Sequence, residues 1–204
     1  MNLNEKKFDT SNIVSSFSHD PKYDFGIYAK GYRKAAKSLS DKFLSQNGFG
    51  DYEGYPIVFL YRHAFELDLK NIIYWGVRLS NFKNQENLDN KLYNHHLLVD
   101  LAKLSSEILT RLFKNDEALG GVIKNILMIA EQYSVLDKNS FSYRYPARRD
   151  GTYSTEKNQI VNITSLTNCM EDLLDSIEAI NFGLNIETDR VKEIFKILSN
   201  FSEN

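Results

Sequence analysis

The sequence predicts a mostly α-helical single domain of five or six helices, with a small β-hairpin or extended excursion near residues 140–155. Three observations lead there. Apolar residues recur every three or four positions through most of the 204-residue chain, the period that keeps one helix face against a core. Only three prolines and ten glycines are present, too few for a loop-rich or all-β chain. Apolar content of 42% with 25% charged residues is ordinary globular composition, sufficient for one sizeable core. Residues 1–20 are polar and read as a loose arm, which leaves residues 21–204 as the domain.

Residues 28–44 place Ala29, Tyr32, Ala35, Ala36, Leu39 and Phe43 at helical spacing. Residues 46–54 then carry Gly48, Gly50 and Gly54 and end that helix. Pro56 suits the first turn of a second helix, where its missing N–H costs little, and this helix should reach about Val77. Residues 80–94, rich in Asn, Asp and Gln, form a polar loop. Residues 95–113 are a third amphipathic helix, opened by His95 and His96. Gly120 and Gly121 threaten a break before residues 122–136 resume the helical period. The stretch FSYRYPARRDGTYS alternates aromatic and polar residues and contains Asp150-Gly151, a hairpin turn signal. QIVNI reads as a short strand or an extended lead-in. Thr164 or Ser165 can cap a fifth helix through Phe182, and residues 191–201 make a short last one.

Several function classes find no support. The formal charge of −2 provides no global basic field for nucleic acid, although a local basic site remains open. The single cysteine, Cys169, excludes an internal disulfide and fits a reducing cytosol. The first twenty residues lack the apolar core of a signal peptide. No apolar run approaches the ~18 residues of a membrane span. The expectation is a cytoplasmic protein without a membrane partner, in which the Asn162-Ile163-Thr164 sequon is chance. There is no HExxH, CxxC, GxSxG, GxxxxGK[ST] or GxGxxG, so neither a metal nor a cofactor is expected.

The densest charge lies in the most apolar segment, YPIVFLYRHAFELDLKNIIY. At 100° per residue, Arg62, His63, Glu66 and Lys70 share an arc of about 100° with Phe59 and Ile73. Arg62–Glu66 and Glu66–Lys70 are i,i+4 pairs, so one carboxylate can neutralise two cations. Such an arc is either the wet stripe of an amphipathic helix or, on a helix covered nearly all round, the lining of an internal cleft or subunit interface. Two further clusters stand out. His95 and His96 are neighbours that point about 100° apart on a helix, a poor chelate for one metal. Either could cap or support structure, or act as acid, base or phosphate contact. Tyr143, Arg144, Tyr145, Arg148 and Arg149 form the one local basic excess with interleaved aromatics. That pattern can stack bases and hold phosphates, or it can pack its tyrosines on the bundle and leave its arginines in water.

Taken in order, an Ala35-Ala36 first helix, RHAFELDLK, HHLLVDL and SYRYP resemble bacterial HEPN-domain proteins over about residues 25–185. The resemblance implies an up-and-down helical bundle, usually a homodimer. Many members are metal-independent ribonucleases in toxin–antitoxin or antiviral defence systems, while others only bind RNA or serve as scaffolds. The usual catalytic spacing, Arg followed after four to six residues by His, occurs at no arginine of this chain. Two readings follow. In the first the protein is RNA-directed: His63 and His95 supply acid or base, Arg62 the charge at the reacting phosphate, Lys70 and Arg144 further phosphate contacts, Tyr143 and Tyr145 base stacking, and Glu66 the orientation of the cations. In the second, a non-catalytic interaction module with a protein partner, Arg62–Glu66–Lys70 is a buried structural network.

Overall fold

The computed structural model describes residues 24–46, 50–80, 92, 96–114, 116–137, 142–155 and 160–202. The expected N-terminal arm, His95 and nearly all of the expected polar loop at 80–94 lie outside these residues. Five helices make up the described architecture: α1 (Phe25–Ser45), α2 (Asp51–Ser80), α3 (Leu98–Leu112), α4 (Glu117–Leu136) and α5 (Ile163–Ser202). Among the described residues there is no β-strand.

Helix α2 is the axis of the bundle, packed against α1, α3 and α5. From Ile57 to Gly76 every residue except Phe59, Leu60 and His63 is buried. Its fully enclosed Ile57, Phe65, Leu69, Ile72 and Ile73 contribute roughly 1.5–3 kcal/mol each by leaving water. The near-complete coverage expected from its greasy circumference is supplied within one chain. Directions follow from pairings. Gly26 meets Asn71 and Tyr32 meets His63, so α1 is antiparallel to α2. Ser105 donates to the Leu69 carbonyl and Ile108 sits against Gly76, so α3 runs parallel to α2. Tyr61 reaches Glu171 and Asp68 reaches Asn181, so α5 is parallel to α2 as well. A parallel α2–α3 pair departs from simple up-and-down order, and the long connection between them makes it possible.

Four boundaries differ from the sequence reading. Pro56 lies inside α2, which begins at Asp51. The carbonyl it leaves without a partner is that of exposed Tyr52, where water can serve, and Asp51 and Glu53 in the first turn favour starting there. Helix α4 runs straight through Gly120-Gly121. The Asp116 side chain caps it by accepting the Leu119 N–H at 3.0 Å, and a Cβ at either glycine would meet nothing. The last two expected helices are one 40-residue helix. Gly183 within it is tolerated, and buried Leu184 and Thr188 carry its inner face across the expected gap. Its cap is Asn162, whose Oδ1 accepts the Ser165 N–H at 2.9 Å, not Thr164 or Ser165.

The excursion at 142–155 is a turn closed by one antiparallel bridge, Ala147 with Tyr153. Arg148 donates to the Thr152 carbonyl at 2.7 Å and Gly151 donates back to Arg148 at 3.0 Å. Gly151 has φ 81°, the left-handed conformation that the Asp-Gly signal foretells. Buried Ser154 ties the turn down by donating to the carbonyls of Ser142 (3.2 Å) and Tyr145.

Candidate functional site

The charged arc of α2 is internal. Arg62 is 0% exposed and Glu66 2%, which rules out the wet-stripe alternative. Arg62 Nη1 donates to Glu66 Oε2 at 2.9 Å, and Lys70 Nζ donates to Glu66 Oε1 at 3.0 Å. The i,i+4 ladder read from sequence is therefore present, and it extends to other segments. Arg62 Nη2 donates to the backbone carbonyl of His96 at 2.9 Å. Arg62 Nε donates to the Asp137 carbonyl at 3.4 Å and lies 3.7 Å from Asp137 Oδ2. Asp137 Oδ1 in turn accepts the Ser142 N–H at 3.0 Å. One guanidinium thus joins the centre of α2, the entry to α3, the end of α4 and the start of the 142–155 turn. Its fork of five donors suits this role.

The network opens to solvent at His96. Its Nδ1 lies 2.8 Å from Glu66 Oε1 while the side chain is 57% exposed. A buried carboxylate that accepts from Nδ1 fixes the tautomer and leaves Nε2 facing water. His96 sits in the extended entry to α3, before its first residue, Leu98, so the expectation that the histidine pair begins the helix is corrected. Burial alone would raise the Glu66 carboxyl. The charge of Lys70, the His96 hydrogen bond and the charge of Arg62 outweigh it and hold Glu66 below the usual carboxylate range.

Beside the network lies a half-exposed aromatic–basic rim. His63 stacks on Phe59 with ring centroids 5.6 Å apart and meets Tyr32 edge-on at 4.4 Å. The Arg144 guanidinium lies 5.5 Å from the Phe59 ring centre and 5.9 Å from that of Tyr145, within cation–π range. Burial lowers the His63 pKa, and although Glu66 opposes this, Arg62, Lys70 and Arg144 add to it. This environment favours the neutral imidazole.

Arg62, His63, Glu66, Lys70 and Arg144 accordingly share one neighbourhood. Arg62 and Lys70, for which phosphate contacts were expected, are enclosed, Arg62 donating to Glu66 and to the carbonyls of His96 and Asp137 and Lys70 donating to Glu66. Glu66, expected to orient both, accepts a hydrogen bond from each. Tyr143 is half-buried, packs on the core 6.2 Å from Tyr55, and has its hydroxyl pushed up to about 12 by burial. It is a packing residue, whereas Tyr145 is 51% exposed and available to stack. Arg148 and Arg149 are exposed on the turn.

Sequence reasoning missed Asp137, the role of His96, and a second ion cluster. In that cluster Arg33 reaches Glu171 at 2.8 Å and Asp175 at 2.6 Å, and Tyr61 donates to Glu171 at 2.9 Å. No local spacing announces these, because each joins residues far apart in the chain. Among the described residues no group of three or more His, Cys, Asp or Glu is placed to hold a metal, and no helix is long and apolar enough to cross a membrane. No family model, curated protein or solved structure matches the chain.

Proposed function

We propose that this protein is an HEPN-like RNA-binding domain whose recognition surface is the rim of Phe59, His63, Arg144 and Tyr145, with His96 beside it. The observation that carries this reading is the Arg144 guanidinium set over Phe59 while Phe59 stacks on His63. Such a surface offers a positive charge for phosphate and flat faces for unpaired bases. The buried Arg62–Glu66–Lys70 network is its foundation: it fixes the α3 entry and the 142–155 turn, which hold His96 and Arg144. RNA in a bacterial defence or toxin–antitoxin setting, acting on a homodimer, is the context that the family resemblance supplies.

Cleavage is a second reading, and His96 favours it. An exposed imidazole oriented by a buried carboxylate can take a ribose 2′-OH proton at Nε2. The 2′-oxygen would then attack phosphorus as the P–O5′ bond breaks, with Arg144 on the developing charge, and the His96 imidazolium would return its proton to the departing 5′-oxygen, leaving a 2′,3′-cyclic phosphate and a 5′-hydroxyl end. A third reading, a scaffold that binds protein alone, rests on the sealing of Arg62.

Fluorescence anisotropy with labelled single-stranded RNA tests the main reading. Affinity should fall as salt rises, and Arg144→Ala should reduce that slope. The absence of binding at low salt by folded protein would overturn it and leave the scaffold reading. Incubation with RNA in EDTA, comparing wild type with His96→Ala, decides on cleavage.

A further inference from the structure

A recess continues the rim towards the start of α2. Tyr55 stands one helical turn before Phe59, and Tyr143 precedes Arg144, whose guanidinium lies over Phe59. The two tyrosines meet with ring centroids 6.2 Å apart. Together they wall a pocket of about 390 Å³ between the end of α1, the first turns of α2, the 142–155 turn and the start of α5. Its floor is Phe43, Val58 and Ile163, each buried. Asp51, the first residue of α2, also lines it and is exposed.

Three features restrict what this pocket can take. The floor is apolar and Tyr55 is 49% exposed, so a flat group that stacks on a ring gains most there. Gly54 is also on the lining and puts no side chain into the space. A Cβ there would stand 3.8 Å from Cδ1 of Ile163, so a larger residue would fill the pocket. The charged group on the lining is a carboxylate. Asp51, with Glu53 in the same turn, repels phosphate, and an ionised carboxylate accepts hydrogen bonds without donating any. The phosphate of a ligand that spans rim and pocket therefore stays at Arg144, while a neutral group with N–H donors enters.

We propose that this pocket holds a guanine base of the bound RNA, set against Tyr55, with the Asp51 carboxylate accepting from N1–H and the N2 amino group. The proposal rests on the RNA-binding reading above and names the base it selects. On their Watson–Crick edges adenine and cytosine each set one amino donor beside a ring-nitrogen acceptor, and uracil sets one N–H between two carbonyl oxygens. Guanine alone presents two neighbouring donors. These match the two oxygens of a carboxylate in parallel, the arrangement that makes charge-assisted bidentate pairs strong and specific. Single-stranded RNA can supply such a base, because its bases splay out, stack on aromatic side chains and are read on that edge.

The test is fluorescence anisotropy with labelled RNA octamers, either uridine throughout or uridine with one central guanosine, inosine or adenosine. Wild type should bind the guanosine octamer about tenfold more tightly than the adenosine octamer, within the range that a bidentate base contact discriminates. Inosine, which keeps N1–H and lacks the N2 amino group, should fall between them. Asp51→Asn trades one acceptor for a donor and Gly54→Leu fills the pocket, so each should abolish the preference for guanosine over adenosine. Asp172→Asn, exposed on α5 and outside the pocket, should keep it. Equal affinity of wild type for all four octamers overturns the guanine pocket and leaves the RNA-binding rim standing. A guanosine preference that persists in both Asp51→Asn and Gly54→Leu also overturns it, since the base would then be read elsewhere. The comparison of bases on wild type decides the matter even if a variant does not fold. Binding of no octamer at low salt by folded protein overturns the rim and the pocket together.

Discussion

Replacing Glu66 with alanine removes the one carboxylate that serves Arg62 and Lys70 together. Arg62 would keep the His96 and Asp137 contacts, but its charge would lose its closest counter-ion at 2.9 Å, and Lys70 would lose its partner at 3.0 Å. Both cations are enclosed, with side chains 0% and 5% exposed, so water cannot replace the carboxylate without opening the bundle. Removing one member of a buried pair costs about 3–5 kcal/mol. With a urea m-value of about 2 kcal/mol/M, the unfolding midpoint should fall by about 1.5–2.5 M. Glu178→Ala is the control. Its carboxylate pairs with Lys30 and Arg33 but is 54% exposed, so it should cost less than ~1 kcal/mol. The pH dependence has a defined sign. The Glu66 pKa is held down in the folded state, so its contribution is present above the ordinary carboxylate pKa, about 4.3. It is lost as pH falls through the lower folded value. Urea titrations of both variants at pH 7 and of the wild type from pH 7 to 3 are the assay. A midpoint for Glu66→Ala within about 0.5 M of wild type would refute the argument that these cations are desolvated and depend on Glu66.

Asp68→Asn should stabilise the protein at pH 8. A carboxyl raised to about 7 by burial binds its proton more tightly folded than unfolded, so wild-type stability should decline between about pH 4 and pH 7. The variant should remove that slope and gain roughly 2–4 kcal/mol at pH 8 in denaturant titrations. Gly76→Ala should destabilise by about 1–3 kcal/mol, because the new Cβ would collide with Cγ2 of Ile108. Gly121→Ala, with nothing near its Cβ position on α4, should raise stability by roughly 0.5–1 kcal/mol, and calorimetric melting of the two variants separates them. Tyr145→Ala should weaken single-stranded RNA binding by roughly 1–3 kcal/mol without changing the salt slope. Tyr143→Ala should instead lower the melting temperature, because its ring is core packing.

By itself the sequence determined the helical class, the position of α2 as its centre and the Arg62–Glu66–Lys70 ladder. All three are local: a 3.6-residue period and i,i+4 geometry are properties of the helix wherever it sits. The turn at Asp150-Gly151 was legible for the same reason, since a left-handed glycine is a one-residue requirement. Tertiary structure decided what the ladder is for. Whether an arc of charges faces water depends on what covers it, and here the entry to α3 at His96 and the end of α4 at Asp137 meet Arg62 from 34 and 75 residues away in the chain. The choice of His96 as the partner of Glu66 was likewise set by where the extended entry to α3 crosses α2. The continuity of α5 through Gly183 was decided by the buried faces of Leu184 and Thr188, against the local weakness of glycine in a helix. Asp137, Asn71 and Asn181 carry no sequence signal at all. Single polar residues acquire meaning only when folding sets them in a place without water, where every unpaired oxygen counts.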